Sequence, residues 1–505
     1  MIFIILLLFL FFFLVHQYLW RRRGLPPGPT PIPIFGNLFQ LSGSEAPGIS
    51  IFQKWKDQYG SMFTFYMGPV PFVVLTDYKD IKETVIKDGE TYADKYLSPE
   101  FNTYFRGNIF SLVDKTCMYQ ERWREHRKFA VLQLRELGVG KPLMESKILI
   151  ETEELLKKLK TAEYLGEDLC LQSELDVAVG SVINQFLFGY RFDESKLHEF
   201  VKIKTLVNNF MEEVGKPLGV LAFTCHGIPP IIIKRMISGI EEQKRELFGF
   251  LRNQIENSKI RINYEEDQND DFVEAYLRKR YQRELNNDFD SYCDSQLENV
   301  CFDIWAAGFD TLTNTIGFLF AYAINYPEMQ MLIHQEIDEY LGHHRRILTM
   351  SDKNALVYFN AFANETQRLA NILPMNLPHA LTRDVVLKGY HLKKGTGIIH
   401  QIANVMTDET IFKDPYRFDP NRFIDENGKL KKIEELCPFS MGKRQCVGEG
   451  LARMEIFLLA ANLFNYFEFV PGSEGLPSLF KDFSLVSHVI PFKCQVRSRD
   501  HSGSK

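Results

Sequence analysis

Apolar side chains run without a break from Ile2 to Val15 and predominate through Trp20, and about 20 such residues cross roughly 30 Å as a helix. Arg21, Arg22 and Arg23 follow at once. Positive charge behind an apolar run holds that end on the cytoplasmic side, so residues 1–20 read as a transmembrane signal-anchor with the rest of the chain cytosolic. The alternative is a cleaved signal peptide, but no small-residue cleavage site is present and the run ends on bulky Tyr18-Leu19-Trp20. Residues 21–33 are basic and then proline-rich. Leu25-Pro26-Pro27-Gly28-Pro29, Pro31 and Pro33 predict a stiff extended linker, because proline fixes φ and removes a donor. Phe63-Thr64-Phe65-Tyr66, turning through Met67-Gly68-Pro69 into Phe72-Val73-Val74-Leu75, predicts a hairpin. Helical spacing dominates afterwards, over Glu151 to Leu159, Ile240 to Ile255, Glu298 to Tyr326, Met329 to Leu341 and Ala355 to Leu369. Ser258 to Asp271, rich in Asn, Glu and Asp, predicts a solvated loop. With no internal repeat, residues 34–505 read as one continuous domain, mainly α with a minor β part.

Composition adds apolar interior: 42 Phe and 13% aromatic residues favour large apolar surfaces and permit a lipophilic cavity. A net charge of -6 argues for no nucleic-acid partner, since such binders carry a strongly basic balance. The eight cysteines form no C-x-x-C pair and no tetrad with zinc spacing. A chain this long needs no disulfide staples, so they read as mostly reduced thiols of which one at most has a special task.

Pro438-Phe439-Ser440-Met441-Gly442-Lys443-Arg444-Gln445-Cys446-Val447-Gly448 singles out Cys446. Gly442 and Gly448 allow tight backbone approach, and the helical pattern Glu449 to Phe467 presents unpaired N–H groups and a positive dipole end that favour a thiolate. A lone cysteine is ordinarily a buried inert thiol. Here Phe439, Gly442, Arg444, Cys446 and Gly448 fill every fixed position of F-x-x-G-x-R-x-C-x-G, the haem-binding loop of the cytochrome P450 superfamily. The chain resembles that superfamily over essentially its whole length, and most of all its animal microsomal branch, with a further echo in Asp271-Phe272-Val273-Glu274-Ala275-Tyr276-Leu277. The resemblance implies the cytochrome P450 fold, with haem b (iron protoporphyrin IX) between a long central helix and the cysteine loop with its helix. It implies Cys446 as the proximal iron ligand, Phe439 packed near the sulfur and Arg444 on a propionate. Thiolate ligation pushes electron density to the iron and favours O–O cleavage.

On the long helix, Ala306-Ala307-Gly308-Phe309-Asp310-Thr311 resembles the family's oxygen-activating segment. Glycine inside a helix costs about 1 kcal/mol relative to alanine, so Gly308 suggests close approach of another body; haem with oxygen, beside Ala307 and Gly308, is the one implied. Thr311 would hydrogen-bond the oxygen while Asp310 helps relay protons; a solvated Asp and an ordinary Thr remain the plain alternative. Leu312 departs from the Thr or Ser often found there. Glu365 and Arg368 stand at i, i+3 on one helix, and the resemblance buries them with Arg422 in a structural role. Trp123 and Arg127 share a helix face and resemble propionate contacts, as does His379; a basic solvated helix with a packed Trp is the alternative. Lys115 to Arg122 lacks the glycine-containing turn expected before Trp123.

The function implied is a haem-thiolate monooxygenase that inserts one oxygen atom of O2 into a lipophilic small molecule (xenobiotic, fatty acid or steroid-like). Electrons would come from NADPH through NADPH–cytochrome P450 reductase, with cytochrome b5 as a second donor, and Arg122, Arg124, Lys128 and Lys443 could meet an acidic reductase face. Leu218 to Ile233 would dip into membrane lipid over the substrate entrance, or else pack inside. Phe101 to Phe110, Ile372 to Leu377 and Leu479 to Val486 would wall the pocket. The implied location is the endoplasmic reticulum membrane, single-pass, with the catalytic haem domain in the cytosol. A haem-thiolate isomerase would rearrange a peroxide without a reductase, a haem sensor would show no turnover, and a haem-free scaffold would show no Soret absorption.

Overall fold

In the computed structural model, residues 20–41, 50–106, 120–138, 142–266, 269–288, 291–342, 345–483 and 486–499 are described, with Phe12 and His16 besides. Most of the expected anchor thus lies outside the described residues, among which no helix is long and apolar enough to cross a membrane. The hairpin forms as expected. β1 (Met62–Met67) pairs antiparallel with β2 (Val70–Leu75), with Met67 opposite Val70. Gly68 turns the chain at φ +59°, a region glycine enters without steric cost. β3 (Asp94–Lys95), β4 (His379–Ala380) and β7 (Gly397–His400) complete a five-stranded sheet in the order β1-β2-β7-β4-β3. β1 is buried along its whole length and β2 from Phe72 to Leu75, which is why both read as nearly continuous apolar runs. The proline linker lies against this sheet: Thr64 N–H donates to Pro27 O at 2.8 Å. A Cβ at Gly28 would stand 1.8 Å from Thr64 O, so that position requires glycine.

Thirteen helices matter to the site. They are α1 (Ser50–Tyr59), α2 (Pro99–Arg106), α3 (Gln120–Leu137), α4 (Pro142–Leu165), α5 (Leu171–Phe188), α6 (Leu197–Gly215) and α7 (Pro217–Thr224). α8 (Pro230–Met236), α9 (Ile240–Arg261), α10 (Phe272–Leu285), α11 (Asp294–Asn325), α12 (Pro327–Leu341) and α13 (Val357–Ala370) follow. All five segments expected to be helical fall on helices, although Tyr326 lies just past α11 and Ala355 and Leu356 just before α13. α11 is apolar nearly all round and is buried over most of its 32 residues, as a helix at the centre of a large core must be. A small antiparallel pair, β5 (Val385–Leu387) with β6 (Tyr390–Leu392), precedes β7, and two more, β9 (Lys481–Phe483) with β10 (Ser487–Val489) and β8 (Phe467–Pro471) with β11 (Cys494–Ser498), sit near the C-terminus. The chain is therefore mainly α with a minor β part.

The loop expected over Ser258 to Asp271 is shorter. α9 continues through Arg261, and Asp271 is fully buried as the cap of α10, accepting Glu274 N–H at 2.8 Å and Arg261 at 2.7 Å. An acidic residue caps orphan amides where a solvated loop would leave it free; burial pushes its carboxyl up to about 6. Leu218 to Ile233 becomes α7 and α8, each opened by proline in its first turn. Leu221 and Ala222 face inward, whereas Leu218 and Ile231 stay 53% and 79% exposed, so the segment is both packing and surface.

Candidate functional site

The cysteine loop is folded by its glycine. Gly442 has φ +78°, and a Cβ there would lie 2.2 Å from Val85 O, so no larger residue fits the tight approach. Gly448 differs: its φ is -91° and no atom lies within 4 Å of its Cβ position. It opens the helix Glu449–Glu455, designated α14, and its backbone needs no glycine for packing. Cys446 N–H donates to Phe439 O at 3.0 Å, while the Arg453 guanidinium covers the Phe439 ring at 4.9 Å. Burial, the largest influence, pushes the Cys446 thiol up, against the backbone amides of Gly448 and Glu449 and the charge of Arg127, which pull it down. The expected helix-end stabilisation exists but does not win by itself. Cys446 nevertheless has accessible surface, so the residue is crowded without being closed off.

Beside it gathers positive charge. β3 and β4 set Lys95 opposite His379. Lys95 Nζ lies 3.0 Å from Leu377 O and 2.7 Å from His379 Nε2, and His379 Nδ1 lies 2.6 Å from Tyr92 O. Tyr92 O only accepts, so Nδ1 carries the proton and Nε2 accepts from Lys95. Arg444 Nε donates to Ala93 O at 2.7 Å, and its guanidinium lies 3.6 Å above the Trp123 ring, which Arg127 approaches at 5.8 Å. Arg127 also donates to Gln445 O. Burial holds Lys95 far below its ordinary range, with Arg444 and Arg127 adding repulsion, and holds His379 down likewise. The charges acting on Lys95 are two cations, and the one acting on Arg127 is Cys446. Cations crowded together and withdrawn from water are costly, so Lys95 and Arg127 fit a group that brings negative charge next to the sulfur. Lys95 had no motif to reveal it; its only signal is the two-residue strand pairing with His379.

Along α11, Ala307 is exposed on a helix otherwise largely buried. At Gly308 α5 comes close, since a Cβ there would lie 3.0 Å from Ile183 Cδ1, the end of a side chain. Thr311 Oγ1 donates to Ala307 O at 2.7 Å. Asp310 accepts from Asn314 Nδ2 at 3.0 Å and meets His488 Nε2 at 2.9 Å. Sequence reading missed His488. Leu312 is a buried core residue.

Glu365 receives Arg368 at 2.6 and 2.8 Å, as the i, i+3 spacing anticipated, and Arg422 at 3.0 Å, as the resemblance implied. Phe101 and Phe105 are buried; Phe105 stacks on Phe210 at 4.4 Å and meets Phe302 at 5.5 Å. Arg106 pairs with Asp303 at 2.7 Å at the edge of this aromatic cluster. Residues 107–119, the side chains of 120–122 including Arg122, and residues 484–485 lie outside the described residues, and with them the loop before Trp123 and parts of two expected pocket walls. Arg124 and Lys443 both bind Glu90, whereas Lys128 is exposed.

Comparison with known proteins gives one answer. The family profile described as Cytochrome P450 matches residues 26–496. Cytochrome P450 2C3 of Oryctolagus cuniculus is 34% identical over 466 residues, 90% of either chain. Cytochrome P450 2C70 of Rattus norvegicus is 33% identical over 470 residues, 91% of either chain. Cytochrome P450 2F2 of Mus musculus is 32% identical over 481 residues, 93% of this chain and 94% of its own.

Proposed function

The chain belongs to the cytochrome P450 family and is a monooxygenase of that family; from that premise we propose that it binds haem b through Cys446 and oxygenates a lipophilic small molecule with electrons from NADPH–cytochrome P450 reductase. The single observation that carries the assignment is the buried cation cluster of Lys95, Arg127 and Arg444 beside the accessible Cys446. Lys95, Arg127 and Arg444 would hold the two propionates, with His379 orienting Lys95 and Trp123 seating Arg444. Phe439 lies one backbone hydrogen bond from Cys446 and shields the sulfur side. When bound, thiolate-ligated haem supplies dioxygen binding and O–O cleavage.

This chain's residues then do the rest. Ala307 offers accessible surface on α11, and Gly308 keeps α5 and α11 close enough to fix that surface. The Thr311 hydroxyl, held by Ala307 O, is the alcohol that steadies oxygen, and Asp310 stores the proton behind it. The aromatic group of Phe105, Phe210, Phe248 and Phe302 supports an apolar substrate of xenobiotic, fatty-acid or steroid-like character. Residues 1–20 anchor the protein in the endoplasmic reticulum membrane, 21–33 link, and 34–505 form the cytosolic haem domain. The exposed Leu218, Ile231 and Ile232 touch lipid. Arg124, Lys128 and Lys443 face the reductase, with cytochrome b5 as a second donor.

The test is reconstitution with reductase, NADPH and a panel of lipophiles. Stoichiometric use of NADPH and O2 with an oxygenated product is expected. Peroxide rearrangement without NADPH would favour an isomerase instead, and haem binding without turnover a sensor.

A further inference from the structure

His488 reaches α11 from the C-terminal hairpin of β9 and β10, and its Nε2 lies 2.9 and 3.1 Å from the two oxygens of Asp310. Its side chain is 30% exposed and that of Asp310 13%. The register is fixed: Asn314 donates to Asp310 Oδ1 at 3.0 Å and accepts Val489 N–H at 3.0 Å. Gly317 lets the hairpin close in, since a Cβ there would lie 2.8 Å from Val489 Cγ1. No hydrogen bond joins Asp310 to Thr311 among the described residues, because the Thr311 hydroxyl is given to Ala307 O.

We propose that His488 is the positioning residue for Asp310, and the point at which solvent protons enter the acid–alcohol pair. The proposal rests on the monooxygenase reading of that pair and deepens it. The carboxylate can only accept, so Nε2 faces it with a proton. A proton from solvent converts the imidazole to imidazolium, which passes its Nε2 proton to Asp310; the neutral ring then gives up its remaining proton and takes one at Nε2, so each cycle delivers one solvent proton to the carboxyl. A protonated Asp310 no longer holds the charge-assisted bond and is free to turn from His488 toward Thr311. Among the described residues, the other charges around Asp310 are Asp176 of α5 and its partner Lys204 of α6, with Thr313 donating to Asp176, while Asp482 stands opposite His488 in the β9–β10 register. Burial pushes the Asp176 carboxyl up against the pull of Lys204, and the imidazole is the titratable group in hydrogen-bond contact with Asp310.

The pair is tested first without turnover. In the haem-loaded resting protein carrying 15N-histidine, the His488 signal is assigned by its loss in His488→Gln. Asp310→Asn is expected to lower the pH at which it titrates by about one unit, because an opposite charge favours the protonated imidazole; an unchanged titration overturns the proposal. Product formed per NADPH is then followed against pH. In the wild type it is expected to fall as pH rises through the His488 titration. His488→Gln should lower it at every pH and remove the break, and His488→Lys should remove the break while keeping the protein folded and the carboxylate paired. A wild-type profile in either variant overturns the proposal. Failure of the monooxygenase reading would look different, as a wild type that yields no oxygenated product at any pH.

Discussion

Replacing Glu365 by Gln keeps the side chain's shape and removes its charge. Its two oxygens accept four donors: Arg368 twice, Arg422 at 3.0 Å and Asp419 N–H at 2.9 Å. Glu365 and Arg368 are completely buried, and Arg422 is 11% exposed. Gln turns one acceptor into a donor facing donors and leaves two guanidinium groups without a counter-charge. Breaking such a buried pair from one side costs on the order of 3–5 kcal/mol. Arg368 keeps Met406 O at 2.7 Å, which favours the lower end. The unfolding entropy of a 505-residue chain is about 1 kcal/mol per kelvin, so the thermal midpoint should fall by roughly 3–5 °C. Scanning calorimetry reads this directly. Adding Arg368→Met, which removes the buried uncompensated charge, should recover part of the loss. A Gln variant as stable as wild type, or a double variant worse than the single, would refute the reasoning.

Gly442→Ala forces a Cβ onto Val85 O at a positive φ, costing about 1–3 kcal/mol in strain; lower haem retention and a lower midpoint are expected, and equality with wild type in both would contradict the packing argument. His400 is buried and its pKa is pushed down to about 3 from 6.5. Its neutral form is favoured only in the folded state, so its contribution is complete above pH 6.5 and is lost as pH falls toward 3. His400→Gln should flatten the acid side of a urea-midpoint profile across that window, though not fully, because His379 shifts in the same direction; an unchanged slope would remove His400 from the effect. Thr311→Ala should leave NADPH consumption in place while diverting oxygen to peroxide, read by peroxide assay, and unchanged coupling would exclude Thr311 from oxygen handling.

What the sequence makes legible here is local. Phe439 to Gly448 carries its whole pattern within ten residues, Glu365 and Arg368 are one helical turn apart, and Gly68 marks the hairpin by itself. Lys95 and His379 are 284 positions apart, and His488 and Asp310 are 178 apart, so no spacing announces either pair. Glycines show the same divide. Sequence flags Gly308 but not Gly28, and only packing shows that the Ile183 side chain stands against the one and Thr64 O against the other. Asp271 looked solvated by its neighbours' composition and is instead a buried cap, since capping depends on where α10 starts.

The whole reading depends on a sulfur–iron bond at Cys446. The absorption spectrum of the reduced, carbon-monoxide-bound protein, taken for wild type beside Cys446→Ala, measures that bond. Wild type should show the thiolate-type band and the variant should lose it. The same band in Cys446→Ala, or no Soret absorption in pure wild type, would contradict the assignment.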